Sequence, residues 1–401
     1  MSPALHVVGA GLAGLAAALG GVKAGWRVAL HEAAPQAGGR CRSFRCQRLD
    51  RVVDNGTHLL LGANRHALSF AAAIGGIEAL APVEPAFPFL DLASGRHWTV
   101  LPGRPSAGAV ETLLALGLPW TSTCQTVDHR LGRTRSYRTL WRPLCEAILN
   151  TPPERASARL LGTVLREVLL GGKSAMRPYV AAGGLSAVFA APAEATLATF
   201  GAELNFGRRL VKIGRQSLEF DDEAIALGSR DRAILALPPW SVAPLLPDLP
   251  AFSSAAIVNA HFRLDQPVPL PGGQPFLGLV GGTGQWLSVR DDVVSVTVSA
   301  ADRLAERSAE EVAGILWAEI APILRAPARV PPVRVIKERR ATLAHTPEVV
   351  RRRPGPVTNV PWLWLAGDWM ASPWPCTMEA AIASGLAAAR LAVGRDDLSF
   401  A

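Results

Sequence analysis

Charge is scarce in this 401-residue chain: only 18% of residues are Asp, Glu, Lys or Arg, against 49% hydrophobic. That balance excludes a disordered chain and allows a large core spread over two or three domains. Cysteine is also sparse. The five thiols, at 41, 46, 124, 145 and 376, form no C-x-x-C pair and no zinc spacing. No metal site is therefore expected, and the thiols are expected to be reduced, as in a cytosolic protein. No stretch reaches the roughly 20 uninterrupted apolar residues that a membrane span needs, because the run at 7–22 is broken by glycines. The start of the chain leads straight into a strand rather than a signal-peptide pattern, so the expected location is cytoplasmic, or peripheral on the inner face of the cell membrane. Acid is short relative to base, 33 against 41, for a net charge of +8. Such a surface attracts nucleic acid, anionic lipid or acidic ligands. However, no Lys/Arg run is interleaved with aromatics, and the longest basic cluster is Arg351-Arg352-Arg353. Nucleic acid is not an expected partner; solvated charge and attraction to a membrane face remain. Tyrosine is rare (2) while tryptophan is frequent (11).

Two glycine turns stand out, at opposite ends of the sequence. Leu5-His6-Val7-Val8 is a short apolar strand that runs into Gly9-Ala10-Gly11-Leu12-Ala13-Gly14, a G-x-G-x-x-G. An Ala/Leu-rich helix follows to about Ala24, Gly25-Trp26 ends it, and Arg27 to Glu32 forms a second strand closing on an acid. In such a unit the first glycine permits the tight turn, the second lets backbone approach a pyrophosphate, and the third lets helix and strand pack closely. The helix N-terminus adds N–H groups and partial positive charge. Glu32, 18 residues after Gly14, is placed to accept hydrogen bonds from ribose hydroxyls. Strand, loop, helix, strand and acid in order predict dinucleotide binding. Near the other end, Trp362 to Ala366 reads as a buried strand, Gly367-Asp368 as a turn, and Thr377-Met378 onward as an Ala-rich helix.

Between the turns, residues 64–200 read as mostly helical and irregular. Thr151-Pro152-Pro153-Glu154 has the form of a capping box opening a helix, with Leu160, Leu161, Val164, Leu165, Val168 and Leu169 at helical spacing. Strands return near Leu204 and run through Leu210–Ile213, Leu218–Phe220 and Ala233–Leu237, then Ala256–Leu264, Leu277–Val280 and Val293–Ser299; Ala301 to Leu324 reads as one helix.

The residues after the first acid carry a resemblance. Gly38-Gly39-Arg40, Val53-Asp54-Asn55-Gly56-Thr57-His58, the Leu237-Pro238-Pro239 close and Gly367-Asp368 are similar to the FAD family that includes amine oxidases and carotenoid desaturases. The resemblance implies that Gly39 and Arg40 meet the diphosphate, that Gly56 and Thr57 pass beside the flavin ring, and that backbone near Leu210 meets the adenine. It also implies that Gly367 and Asp368 meet the pyrophosphate and ribityl chain, and that the helix start at Met378 aims N–H groups at the flavin. FAD is thus the implied cofactor, its two halves gripped by the two turns. The implied fold is α/β, a Rossmann-like FAD-binding domain interleaved with an α+β substrate domain. The FAD domain would be discontinuous, built from 1–62, 200–240 and 355–401. Residues 63–199 and 241–354 would form the substrate part, helical with an antiparallel sheet. The segments "VDNGTHLLLGANRHAL", "LCEAILNTPPERASARLLGTVLREVLLGG" and "GDWMASPWPCTMEAAIASG" resemble, more narrowly, the squalene-associated FAD-dependent desaturases, or hydroxysqualene dehydroxylases, of hopanoid synthesis. That resemblance implies removal of an allylic hydroxyl from hydroxysqualene by hydride transfer from reduced flavin. It also implies a long apolar isoprenoid substrate, contact with a membrane surface and an unidentified electron donor. His58 and Asp54 are the candidate acids. Departures exist: Ala380 stands where the family has Gly, and the loop before Trp374 is altered. The alternatives are a carotenoid or apocarotenoid desaturase and, as a non-enzyme, a flavin-free escort of prenylated partners; scarce tyrosine argues against an aromatic amine cage.

Overall fold

The computed structural model describes residues 3–104 and 107–400. Five short apolar runs form one parallel sheet, in the order Glu203–Phe206, Arg27–Glu32, Ala4–Val8, Arg232–Leu235, Leu363–Leu365. A parallel sheet must be covered on both faces, which is why the inner runs are largely apolar, while the edge run Glu203–Phe206 is half polar and partly exposed. Alternation along the strands sorts the two faces. Leu5, Val7, Leu30 and Ile234 pack under the helices Leu12–Lys23 and Met378–Val393. Val8, Ala233, Leu235 and Leu363 pack beneath a small antiparallel sheet of Leu210–Ile213, Ser217–Phe220 and Ala224–Ala226. The two helices come close because their facing residues are small: a Cβ on Gly20 would stand 2.9 Å from the Ala389 methyl.

A second sheet has seven strands, in the order Val333–Leu343, Ser254–Arg263, Val293–Val298, Trp286–Arg290, Phe276–Val280, Phe87–Asp91, His97–Val100. Neighbours run antiparallel except Phe276–Val280 beside Phe87–Asp91. The helix Ala309–Leu324 covers it, burying Trp317 against Phe262. Helices Ala109–Gly117, Val127–Leu131, Arg142–Leu149 and Ala158–Leu170 gather around a third core containing Trp141, Leu149 and Leu161.

Three local expectations are corrected. Residues 87–100 supply two strands inside a stretch that reads as helical and irregular; Pro88 and the shortness of both runs mask them, and pairing with Phe276–Val280 decides. The helix does not open at Thr151. Ser157 is its cap, its Oγ accepting from the Leu160 amide, and the helix is Ala158–Leu170. The Thr151 hydroxyl is taken instead by the Leu149 carbonyl and by the amide of His345, both at 2.9 Å. The span 301–324 is two helices, Asp302–Ala305 and Ala309–Leu324, because Ser308 and Glu311 form a reciprocal capping box that starts the second.

Candidate cofactor and substrate site

The three glycines of the first turn have different reasons to be glycine. Gly9 has φ +103°, which an L side chain rarely adopts. A Cβ on Gly14 would overlap the Gly9 carbonyl oxygen. Both are demanded by the protein's own packing. Around Gly11, in contrast, an added Cβ meets nothing within 4 Å. The fold leaves that face of the turn open, as it must be if a pyrophosphate is to come against the backbone. Ala10 donates its N–H to Glu32 Oε2 (2.7 Å) and Ala34 donates to Oε1 (2.8 Å). Each carboxylate oxygen of Glu32 keeps lone-pair capacity for hydroxyl donors. Leu12 and Ala13 are buried at the helix start.

The Gly38-Gly39-Arg40 turn lies against the first and links it to the Gly367-Asp368 turn. Gly38 N–H donates to the Ala10 carbonyl at 2.8 Å, and a Cβ on Gly39 would stand 3.2 Å from Gly11 Cα. Arg40 then reaches across 328 positions of sequence to Asp368 Oδ1, at 2.7 Å, and also donates to the Ala341 carbonyl. Burial opposes the Arg40 charge, but the adjacent Asp368 carboxylate outweighs it and holds the guanidinium above its ordinary pKa. Ala366 N–H donates to Leu235 O and Trp369 Nε1 to Leu237 O, each at 2.9 Å. The Gly367 amide donates to Ser384 Oγ (3.0 Å). Thr377 caps the following helix, Met378 is its first residue, and the Met378 sulfur accepts from the Cys41 thiol at 3.5 Å. Gly385 allows this helix to press on the first, since a Cβ there would overlap the Ala13 carbonyl. Leu210 is buried in the small antiparallel sheet, in the same core as Val8.

Asp54 is buried and accepts three hydrogen bonds. Its Oδ1 accepts from Ser43 Oγ (2.6 Å) and the Leu185 amide (2.9 Å), and its Oδ2 from Arg290 (2.7 Å). Gly56 and Thr57 pass Asn259, whose Oδ1 is 3.5 Å from the Thr57 amide and accepts Thr297 Oγ1 at 2.8 Å. His58 is exposed on one side and surrounded by protein on the others. That surrounding mass lowers its pKa below the ordinary value, outweighing the Gly56 carbonyl and Asp54. The imidazole is thus neutral near pH 7. Its Nδ1 lies 2.7 Å from the Gly56 carbonyl, so Nδ1 bears the hydrogen and Nε2 is left as the acceptor.

Four residues around the second turn carry no signal in the sequence. Arg353, third of the basic cluster, is buried and points inward. Its guanidinium donates to the carbonyls of Asp368 (2.9 Å), Trp369 (3.3 Å), Ser372 (3.4 Å) and Trp374 (2.9 Å), which fixes the loop beyond the turn. His345 is fully buried between the Leu149 carbonyl (2.6 Å) on Nδ1 and the Cys376 amide (2.8 Å) on Nε2. Burial pushes its pKa down to about 4. Glu379, the acid of the helix start, caps a different helix: its carboxylate accepts from the amides of His66 and Ala67, at 3.0 Å each, and from His66 Nδ1 at 2.8 Å. Asn150 ends its helix in the left-handed region and joins Ala255, Thr342 and Ala300 through its amide.

Comparison with known proteins adds to this geometry. Residues 121–393 match the family described as flavin containing amine oxidoreductase, and residues 7–74 match an NAD(P)-binding Rossmann-like domain. The hydroxysqualene dehydroxylase of Sinorhizobium fredii is 39% identical, covering 97% of this chain and 98% of that protein. That of Rhodopseudomonas palustris is 40% identical over 98% of this chain and 100% of its own. Among solved structures, cyclohexylamine oxidase from Brevibacterium oxydans superposes with a TM-score of 0.73 at 16% identity, covering 98% of this chain and 99% of that one. Putrescine oxidase bound to putrescine gives 0.71 at 18%, covering 98% and 100%. The residues present fit FAD: the turn at Gly11 is open, Glu32 retains acceptor capacity, and Arg40 lies beside both turns. No helix among the described residues is long and apolar enough to cross a membrane.

Proposed function

This chain belongs to the flavin-containing amine oxidoreductase family and, within it, to the hydroxysqualene dehydroxylases; from that premise we propose that it reductively removes the allylic hydroxyl of hydroxysqualene to give squalene. The carbon–oxygen bond breaks, the hydroxyl takes up a proton and leaves as water, and hydride forms the new carbon–hydrogen bond. FAD, reduced by a donor yet to be identified, supplies that hydride. The full-length likeness to two dehydroxylases carries the substrate assignment.

The chain's own residues have distinct parts in this reading. Gly9 to Gly14, with Glu32, hold the ADP half, and Gly39 and Arg40 the diphosphate; Leu210 backs the adenine. Gly367, Asp368 and the helix start at Met378 hold the redox half, and Gly56 and Thr57 flank the ring. His58 is the proton donor. Protonated on Nε2, it is a stronger acid than a free imidazolium, because its pKa is lowered. Asp54, with three bonds already made, positions the hairpin before His58 and is not the acid. Residues 1–62, 200–240 and 355–401 make the cofactor part, and 63–199 and 241–354 the substrate part. The enzyme works on the cytoplasmic side, against a membrane face that holds its substrate.

The deciding experiment is direct. Purified protein is loaded with FAD, reduced chemically and given hydroxysqualene; squalene is the expected product. A flavin-loaded, fully reduced protein that makes none overturns the assignment. No observation favours a desaturase or a flavin-free escort.

A further inference from the structure

Large hydrophobic side chains that stand in solvent are few here, and they are not scattered evenly. Of eleven such residues among the described ones, five lie between 110 and 170. Val110 and Leu113 are 71% and 67% exposed on the helix Ala109–Gly117. Trp120 is 70% exposed in the short turn after it, and Leu169 and Leu170 are 37% and 64% exposed at the end of Ala158–Leu170. These elements pack on one another: Gly162 leaves room for Leu118 and Pro119, whose atoms a Cβ would overlap. The five side chains therefore belong to one helical pair rather than to separate parts of the surface.

Charge is concentrated in the same stretch of sequence. Residues 101–180 hold eleven Lys and Arg against five Asp and Glu, which is +6 of the chain's net +8. Along Ala158–Leu170, Arg159, Thr163, Arg166 and Leu170 recur at i, i+4, i+7 and i+11, one outward stripe. The Arg166 guanidinium lies 4.8 Å over the Trp120 ring. An indole beside a cation, on a helical pair that also exposes leucine and valine, suits the boundary between lipid headgroups and acyl chains. The same helix also contacts the loop that follows the second cofactor turn. Glu167, on its flank, accepts from Trp374 Nε1 at 3.0 Å, in the loop between Asp368 and Met378.

We propose that the face formed by Val110, Leu113, Trp120, Leu169 and Leu170 docks on an anionic lipid bilayer. The apolar side chains enter the acyl boundary and the surrounding arginines neutralise headgroups, each basic residue near the surface contributing on the order of 1 kcal/mol. Docking there sets the helix that flanks the second turn directly on the membrane, which gives a short path for a bilayer-dissolved substrate. That last consequence rests on the isoprenoid reading above; the docking surface itself does not.

The test uses the full-length, FAD-loaded protein and sedimentation with phosphatidylcholine vesicles, with or without added phosphatidylglycerol. The wild type is expected to sediment with the anionic vesicles and to be released by raised salt. Trp120→Ser combined with Leu170→Ser should weaken partitioning by about tenfold or more. Leu113→Ser is an independent second probe, and Arg159→Glu with Arg166→Glu should remove the preference for anionic vesicles. Retained visible flavin absorbance certifies that each variant is folded. Folded variants that bind as the wild type does overturn the proposal. So does a wild-type dimer in size-exclusion chromatography that Leu170→Ser makes monomeric, because the face is then a self-interface. Squalene formation from detergent-dispersed substrate is measured separately: its absence in wild type defeats the enzymatic reading while leaving the vesicle result intact.

Discussion

His58 and His345 are both neutral imidazoles, held so for different ends. His58 is exposed on one side, and as the proposed proton donor its lowered pKa ties the rate to a protonated form that is scarce at neutral pH. The rate is therefore expected to fall as pH rises, with an apparent pKa below the ordinary 6.5 of histidine. His58→Gln should lower kcat by about a hundredfold and flatten that limb while the flavin spectrum persists; an unchanged pH profile would place the acid elsewhere. His345 is structural. His31, His261 and His345 have pKa values lowered by burial to about 3, 4 and 4, so the folded protein refuses their protons where the unfolded chain accepts them. Their contribution to stability is complete above pH 6.5 and is lost as pH falls towards 4, at about 1.4 kcal/mol per pH unit for each histidine. Denaturant midpoints measured between pH 7.5 and 5 should drop accordingly. Arg353 makes the sharpest claim at this scale. Replacing it by Leu leaves four carbonyls without their donor and should cost about 3 kcal/mol or more. Lys, with a single point charge and no planar fork, should not restore the loop. Thermal melting and retained FAD together read both effects.

Elements divide by whether their cause is local. The first turn is local. Gly9 answers to its own backbone conformation, Gly14 to the Gly9 carbonyl five residues away, and Gly11 to space that the protein leaves open. Gly11→Ala is therefore expected to melt near the wild type yet keep little FAD, whereas Gly14→Ala should fail to fold. Circular dichroism and flavin absorbance separate the two outcomes, and a Gly11→Ala protein that holds FAD normally would show the cradle lies elsewhere. The helix after Thr151 is the opposite case. A sound capping pattern is present in the sequence, but His345, 194 positions away, claims the threonine hydroxyl, and the helix waits for Ser157. Likewise Glu379 belongs by sequence to the helix Met378–Val393 and by bonding to the start of Arg65–Ala73. Glu379→Ala should loosen both helices by roughly 1–2 kcal/mol.

At the level of the whole molecule, the chain is stitched by charge across long sequence distances. Arg40 meets Asp368 at 2.7 Å, Arg290 meets Asp54 at 2.7 Å, and Arg51 meets Asp292 at 2.8 Å. The last two bind the hairpin of Ser43–Cys46 and Arg51–Asp54 to the seven-stranded sheet. The first joins the two glycine turns. Asp368→Asn keeps the shape but removes the charge that holds Arg40, and it should weaken FAD binding by roughly tenfold or more. Titration of the apoprotein with FAD measures this, and unchanged affinity would mean that the junction serves only the fold.

The sequence by itself determined the turns, the strands around them and the kind of ligand they suit, because glycine sterics and hydrophobic period act within a few residues. It therefore made the G-x-G-x-x-G unit, the Gly-Gly-Arg turn and the Gly-Asp turn legible. Only the tertiary structure decided that Arg353 of an apparent surface cluster is buried, that Asp54 is spent on Ser43, Leu185 and Arg290, and that two strands come from residues 87–100. Burial, ion pairing and strand partnership depend on groups brought together from far along the chain, and no local pattern of residues encodes which distant group will arrive.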